Sequence, residues 1–183
     1  SGVFVDQAYD VEIGKVENGL ENIIAYNGED GVTIGIDPAS LDETRNLVRG
    51  NAIFNNNELG IDIGNDGVTT NDSGDADSGL NGLQNYPVLN SAVGKIISTA
   101  TTTIEGYFNS SPATTYELDF YASATCDLNG YGEGQVYLGS HSVTTDSVGN
   151  VDFTAILTTP ITQGDWITAT AISMGDNNTT EFS

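Results

Sequence analysis

The chain has 183 residues, with 26 acidic side chains against 4 basic ones and a formal net charge of −22. Phosphate binding needs a basic patch, so this balance excludes nucleic acid as a partner and argues against an anionic membrane surface. No apolar run reaches the roughly 18 residues of a membrane span, so no membrane insertion is expected. An excess of carboxylates repels itself unless salt or divalent cations screen it. High salt, or millimolar Ca²⁺ outside the cell, would supply that screening. The opening "SGVFVD" lacks an initiating Met, and the chain reads as an excised piece of a longer protein whose targeting segment would lie ahead of it.

In chain order, the first signal is an internal repeat. Gly2-Val3-Phe4-Val5, Gly31-Val32-Thr33-Ile34 and Gly60-Ile61-Asp62-Ile63 recur at a spacing of 29 residues. "NIIAYNGEDGVTI" from Asn22 also aligns with "NAIFNNNELGIDI" from Asn51. Asn22 meets Asn51 and Asn27 meets Asn56, each apolar strand being separated from the next by Asn and Gly turns. Val3, Val32 and Ile61 should form one apolar column, and Val5, Ile34 and Ile63 another. The matched Asn residues should stack at turns, where Asn tolerates the left-handed conformation and its amide can bond the next layer. Lys15, Arg45 and Arg49 are the basic residues of this half. Arg45 and Arg49 sit on the insertion "GIDPASLDETRNLVRGN", where surface ion pairs with Asp42 or Glu43 are expected.

An acidic tract follows the third repeat. Asp72, Asp75, Asp77 and Asn81 fall at short odd spacings among Gly74, Gly79 and Gly82, and Asp62, Asn65 and Asp66 precede them at the end of a strand. Calcium takes six to eight oxygen ligands from such groups. These seven residues are therefore the candidate metal ligands, with Ca²⁺ the expected cofactor. The alternative is a hydrated loop with no fixed ion. The EF-hand order of ligands is missing, and no His or Cys lies near enough in sequence to suit a transition metal. A Ca²⁺-clamped loop here would serve as a lid on the last repeat. "CDLNGYGEG", with Asp127, Asn129 and Glu133, and "GDNNTTE", with Asp176, Asn177 and Glu181, are weaker candidates that read as plain loops.

From about Ser91 the pattern changes to alternating strands: "TTTIEGYF", "TYELDFYAS", "GQVYLGS", "HSVTT", "VDFTAIL" and "DWITATAIS". Tyr116, Leu118, Phe120 and Ala122 share one face of the second stretch. Val151, Phe153, Ala155 and Leu157 share one face of the fifth. Gly149-Asn150 reads as a hairpin turn. The spacing predicts an antiparallel β-sandwich of the immunoglobulin type with Trp166 as its core anchor. Cys126, the only cysteine, is expected to be a small buried or half-buried thiol, the alternative being half of a disulfide whose partner lies outside this piece, and His141, the only histidine, a surface strand residue.

The run from "DVEIG" through "RNLVRGNAIFNNNELGIDIGNDG" to "NDSGDADSGLNGLQNYPVL" resembles the right-handed parallel β-helix repeats of large secreted bacterial surface proteins. "YELDFYAS", "NGYGEGQ" and "WITATA" resemble the sandwich module that follows such helices. The resemblance implies an all-β chain: a short right-handed parallel β-helix over residues 1–90, then an Ig-like antiparallel β-sandwich over 91–183. It implies a pectate-lyase-like solenoid and a secreted or cell-surface location, but fixes no activity. Some members are polysaccharide lyases or hydrolases, and many are stalks or adhesins. The expected function is a noncatalytic structural or adhesion segment stabilised by calcium, facing a cell-surface glycan or protein. Self-association through the exposed solenoid end is a further expectation. The alternative is the C-terminal part of a polysaccharide lyase or other carbohydrate-active enzyme, with Arg45 or Arg49 as base or Asp62 and Asp66 as paired carboxylates.

Overall fold

The structure is a computed structural model that describes residues 1–17, 19–35, 45–97, 99–127 and 130–183. Among the described residues every regular element except one 3₁₀ turn is a strand. The first half holds β1 (Val3–Val5), β2 (Glu12–Ile13), β3 (Ile23–Ala25), β4 (Val32–Ile34), β5 (Leu47–Val48), β6 (Ala52–Phe54) and β7 (Ile61–Ile63). The 3₁₀ turn, Leu80–Leu83, leads to β8 (Val88–Ile97), β9 (Thr99–Asn109), β10 (Thr115–Ser123), β11 (Val136–Thr144), β12 (Asn150–Leu157) and β13 (Trp166–Ser173).

The first half pairs in parallel, in the register its repeat predicts. Val3 faces Val32, which faces Ile61; Val5 faces Ile34, which faces Ile63. The strands form three short ladders, β1-β4-β7, β2-β5 and β3-β6. The stacked Asn pairs form as well. Asn22 donates its amide to Asn51 Oδ1 at 2.9 Å, and Asn27 does the same to Asn56 at 2.7 Å. Each side-chain oxygen also accepts the backbone N–H of the residue above it.

The expected β-helix solenoid is corrected at this point. Parallel pairing stops at ladders two or three strands wide and two or three residues long. A common period is also missing. Ile24 pairs with Ile53 at the 29-residue offset, whereas β2 pairs with β5 at 35, Ile13 against Val48. The structure shows a small stack of parallel strands, in three tiers at most, and not a continuous helix.

The second half is sandwich-like. β11-β10-β13 forms one antiparallel sheet and β12-β9-β8 the other. Ile104, Phe108, Tyr116, Leu118, Phe120, Phe153 and Leu157 from both sheets meet in one buried core. The faces predicted for β10 and β12 are the faces that pack. Among the described residues the sheets hold three and three strands, against the four and three of an immunoglobulin constant domain. "GQVYLGS" and "HSVTT" merge into the single strand β11, and β8 runs across the expected boundary at residues 90 and 91. Gly149 has the positive φ of 90° expected of it, yet the turn joins strands of different sheets and is no hairpin. Trp166 is 56% exposed at the start of β13, so the core is anchored by Phe and Tyr rings instead. Cys126 is exposed, not buried.

β10 is the strand on which the halves meet. Side chains of a strand alternate between faces. Tyr116, Leu118, Phe120 and Ala122 enter the sandwich core, while Tyr121 points the other way into a second core. There it joins Val32, Ile34, Ile53, Ile61 and Ile63 of the parallel stack and Phe182 of the C-terminal segment.

Candidate metal centre and the junction between the halves

The loop from Asp72 to Asn85 folds back on itself through its own carboxylates. Asp72 accepts the Ala76 N–H with both oxygens, at 3.0 and 3.1 Å. Asp75, held at φ 57°, accepts the Asn85 N–H at 2.8 Å and the Ser110 hydroxyl at 2.6 Å. Asn85 in turn donates its amide to the carbonyls of Asp72 and Asn109, and the Gly74 N–H reaches Asn109 Oδ1 at 2.6 Å. The loop is thereby sewn to the end of β9.

The result brings Asp72, Asp75 and Asp77 together, one carboxylate oxygen of each lying within 4.8 Å of the others. Oxygens ligating one Ca²⁺ at 2.3–2.6 Å can lie up to about 5.2 Å apart across the ion, so this separation is within its reach. The trio therefore fits a calcium ion in spacing and in donor type. Burial raises the pKa of Asp75, and burial followed by the neighbouring carboxylates Asp72 and Asp75 raises that of Asp77. A cation beside Asp75 and Asp77 would oppose both shifts.

The seven expected ligands do not form one set. Asp62 closes its own turn after β7, accepting the N–H groups of Asp66 and Gly67 at 3.3 and 3.2 Å. Burial, with the Asp30 charge beside it, pushes Asp62 up to about 6. Asn65 and Asp66 are exposed residues of that turn, Asn65 at φ 57°. Asn81 is fully buried and occupied: its oxygen accepts the Asn46 N–H, and its amide donates to the carbonyls of Asn46 and Thr179. Asp62 and Asn81 thus bond elsewhere, and the three carboxylates that converge are those of Asp72, Asp75 and Asp77.

The acidic loop is not the lid of the stack. That role falls to the second half, whose groups bond the outer edge of the last parallel strands. The Val48 N–H donates to Thr179 Oγ1, the Gly50 N–H to the Tyr121 hydroxyl, and the Ile63 N–H to Glu181 Oε1, all at 2.9–3.0 Å. Ile53 and Gly134 exchange two backbone bonds at 2.8 and 2.9 Å. Glu133 Oε1 accepts both the N–H and the side-chain amide of Asn56. Asn56 makes those same two contacts to Asn27, so Glu133 stands where the next Asn of the ladder would. Phe182 closes over Gly60, where an added Cβ would come within 2.8 Å of the ring.

Charge reinforces this junction. Arg49 forms a bidentate pair with the fully buried Asp119 at 2.7 and 3.0 Å. Arg45 binds Asp10 at the surface and lies over the Tyr9 ring. Asp42 and Glu43, the partners expected for both arginines, lie outside the described residues, as does Asn129. Both guanidiniums are engaged by carboxylates, a poor state for the base of a lyase. Burial pushes Asp119 up to about 6 against the opposing pull of Arg49, and burial pushes Glu181 up to about 8. Glu133 and Glu181 were read from the sequence as loop residues and prove to be buried fasteners.

No protein-family model matches this chain, and no curated protein matches it. The resemblance to the β-helix family of secreted bacterial surface proteins is accordingly overturned. What stands is an all-β chain of short parallel ladders joined to two antiparallel sheets. Among the described residues no helix is long and apolar enough to cross a membrane.

Proposed function

We propose that the chain is a noncatalytic structural segment of an extracellular or cell-surface protein, serving as a stiff spacer and adhesion module. In this reading Ca²⁺ binds at Asp72, Asp75 and Asp77. The observation that carries it is the wiring of that trio: Asn85 and Ser110, which hold the Asp75 carboxylate beside those of Asp72 and Asp77, also fasten the loop to the sandwich. A cation there neutralises the repulsion of three carboxylates and stiffens the link at one stroke. Millimolar calcium outside the cell would also screen the charge of −22. A rigid, strongly acidic body suits a spacer that must stay extended and soluble. A protein or glycan of the cell surface is the partner that this role implies.

Melting in calcium and in EDTA tests the reading. A ligand at one hundred times its Kd adds about 2.7 kcal/mol to the stability of the bound form. For a chain of this size that corresponds to a rise in Tm of roughly 5–10 °C. Asp77→Asn, which removes a charge but no loop hydrogen bond described above, should abolish most of the rise and leave the EDTA melt nearly unchanged. A transition identical in calcium and EDTA overturns the metal centre, as does a calcium effect that survives in the Asp72→Asn/Asp75→Asn/Asp77→Asn variant.

A further inference from the structure

Beside the junction lies a groove of about 640 Å³, between the turn that follows β6 and the loop that follows β10. Phe54, Asn55 and Asn57 form one wall; Thr125, Cys126 and Gln135 stand on the other. We propose that this groove binds a neutral oligosaccharide, with room for roughly two or three sugar rings at this volume.

Charge makes the first selection. Among the described residues the charged side chains lining the groove are Glu133 and Asp127, both acidic, with no Lys or Arg. Anionic ligands such as phosphates and uronates meet an unfavourable field here. Side-chain chemistry makes the second. Asn55, Asn57 and Gln135 each carry a donor and an acceptor, and Thr125 adds a hydroxyl. Sugar hydroxyls also donate and accept at once, so such a wall matches a polyol better than a lipid or a flat heterocycle. The aromatic rings make the third. Phe54 packs edge-on against Tyr26 with centroids 5.8 Å apart, and the Tyr26 ring is 76% exposed. Phe54 is the ring that lines the groove, with Tyr26 outside the lining, and a ring beside amides suits the alternating apolar and polar faces of a pyranose.

The walls are also held in place. Glu133 is locked by its two bonds from Asn56, and the Ile53–Gly134 bridge ties β6 to the second half. That bridge uses the backbone groups that a peptide adding as a strand would need, which favours a small polyol over an extended peptide. Clefts between two packed units are common positions for ligand sites.

The inference rests on the noncatalytic adhesion reading in one respect: the bound sugar should be returned uncleaved. The test uses the full chain and a panel of neutral trisaccharides (cellotriose, maltotriose, xylotriose, triacetylchitotriose), with trigalacturonate as the anionic control and a basic tripeptide as the competing class. Binding is read by chemical-shift changes on titration, and the sugar is recovered and weighed by mass spectrometry. At least one neutral trisaccharide should bind with shifts confined to groove residues, and trigalacturonate should not. Asn55→Gly, which tolerates the positive φ of 54° at that position, and Gln135→Ala should each weaken binding tenfold or more with Tm unchanged. Val148→Ala, in the turn between β11 and β12, should leave binding intact. The proposal is overturned if every neutral sugar leaves the spectrum unchanged at millimolar concentration, if shifts fall elsewhere, or if only the peptide binds. Cleavage of a bound sugar would support the groove and overturn the noncatalytic reading, so the two can fail separately.

Discussion

The two ends of the parallel stack are built from the same repeat and meet different fates. At one end the outer edges of β5, β6 and β7 are bonded by Thr179, Tyr121, Gly134, Glu133 and Glu181. At the other end β1, β2 and β3 each pair on one side only, and Phe4 and Ile23 are 51% and 75% exposed. Asp62 and Ala52, their register counterparts at the covered end, are 5% exposed and half-buried. Equivalent positions in a repeat are therefore not equivalent in energy. What decides is whether the next layer exists, and here a sandwich sheet supplies the last layer in place of another repeat.

The strongest way to break this asymmetry is to open the covered end. Phe182→Ala removes a ring that is 4% exposed and packs edge-on against Tyr121 at 5.3 Å. Truncating a buried Phe costs about 3–5 kcal/mol. Phe4→Ala at the open end should cost under about 1 kcal/mol, the range of surface changes. Urea melts of the two variants read the difference directly. Equal losses would mean that Phe182 is not the lid. Gly60→Ala sharpens the point from beneath, since its Cβ would press on the same ring and overpacking costs about 1–3 kcal/mol.

How much of this was legible in the sequence follows the reach of each contact. The columns and the Asn pairs were readable because a spacing of 29 residues repeats along the chain and fixes register. The lid was not, because its contacts span 71 to 131 residues and belong to no period. One trace of it was present: "TYELDFYAS" carries Phe120 and Tyr121 side by side, bulky on both faces, as a strand covered on both sides would. The tail "NNTTEFS" gave no such sign. Its polar composition reads as a loop, yet Thr179, Thr180 and Glu181 are buried because backbone edges of the stack, not apolar surface, are what they cover. Trp166 misled through size alone, and β8 was obscured where its register shifts between Leu89 and Ser91. In the acidic tract the residue types were readable, but not that Asp62 and Asn81 bond backbone groups outside the Asp72, Asp75 and Asp77 cluster.

A finer comparison sets one Asn of the ladder against its twin. Asn51 is buried, and its oxygen serves both N–H groups of Asn22 while its amide serves the Ile13 carbonyl at 2.7 Å. Asn51→Ala strands these groups, and a buried polar group left without a partner costs about 1–3 kcal/mol. Asn22 lies at the exposed edge and donates without receiving a further layer. Asn22→Ala should cost about 0.5–1 kcal/mol, the worth of an ordinary hydrogen bond. Thermal melts of the pair should rank them in that order; the reverse order would mean that the ladder does not run in the direction its hydrogen bonds indicate.

The smallest contrast is one of pH, and it belongs to the covered end. Glu181 near 8 and Asp119 and Asp62 near 6 all stand above their ordinary values of 4.5 and 3.8, in each case chiefly through burial. The folded state thus binds these protons more tightly than the unfolded chain does. Their contribution is full below the unfolded values and is lost as pH rises through 6 and then 8. Stability should therefore increase on acidification from pH 8.5 to 5.5, by roughly 3–6 °C in Tm after discounting for solvent screening and for the Arg49 pair. General relief of charge repulsion acts in the same direction, so Glu181→Gln is the discriminating variant. It keeps a side-chain oxygen to accept the Ile63 N–H but cannot ionise, and it should flatten the profile between pH 6.5 and 8.5 while leaving the lower part intact. Amide exchange at Ile63 and Thr69, whose N–H groups Glu181 holds at 3.0 and 2.9 Å, should quicken with rising pH beyond the intrinsic rate in the parent and not in the variant. A parent profile that is flat over this range would mean that Glu181 is ionised in place and that the lid holds it as a carboxylate, with its three hydrogen bonds offsetting the cost of burial.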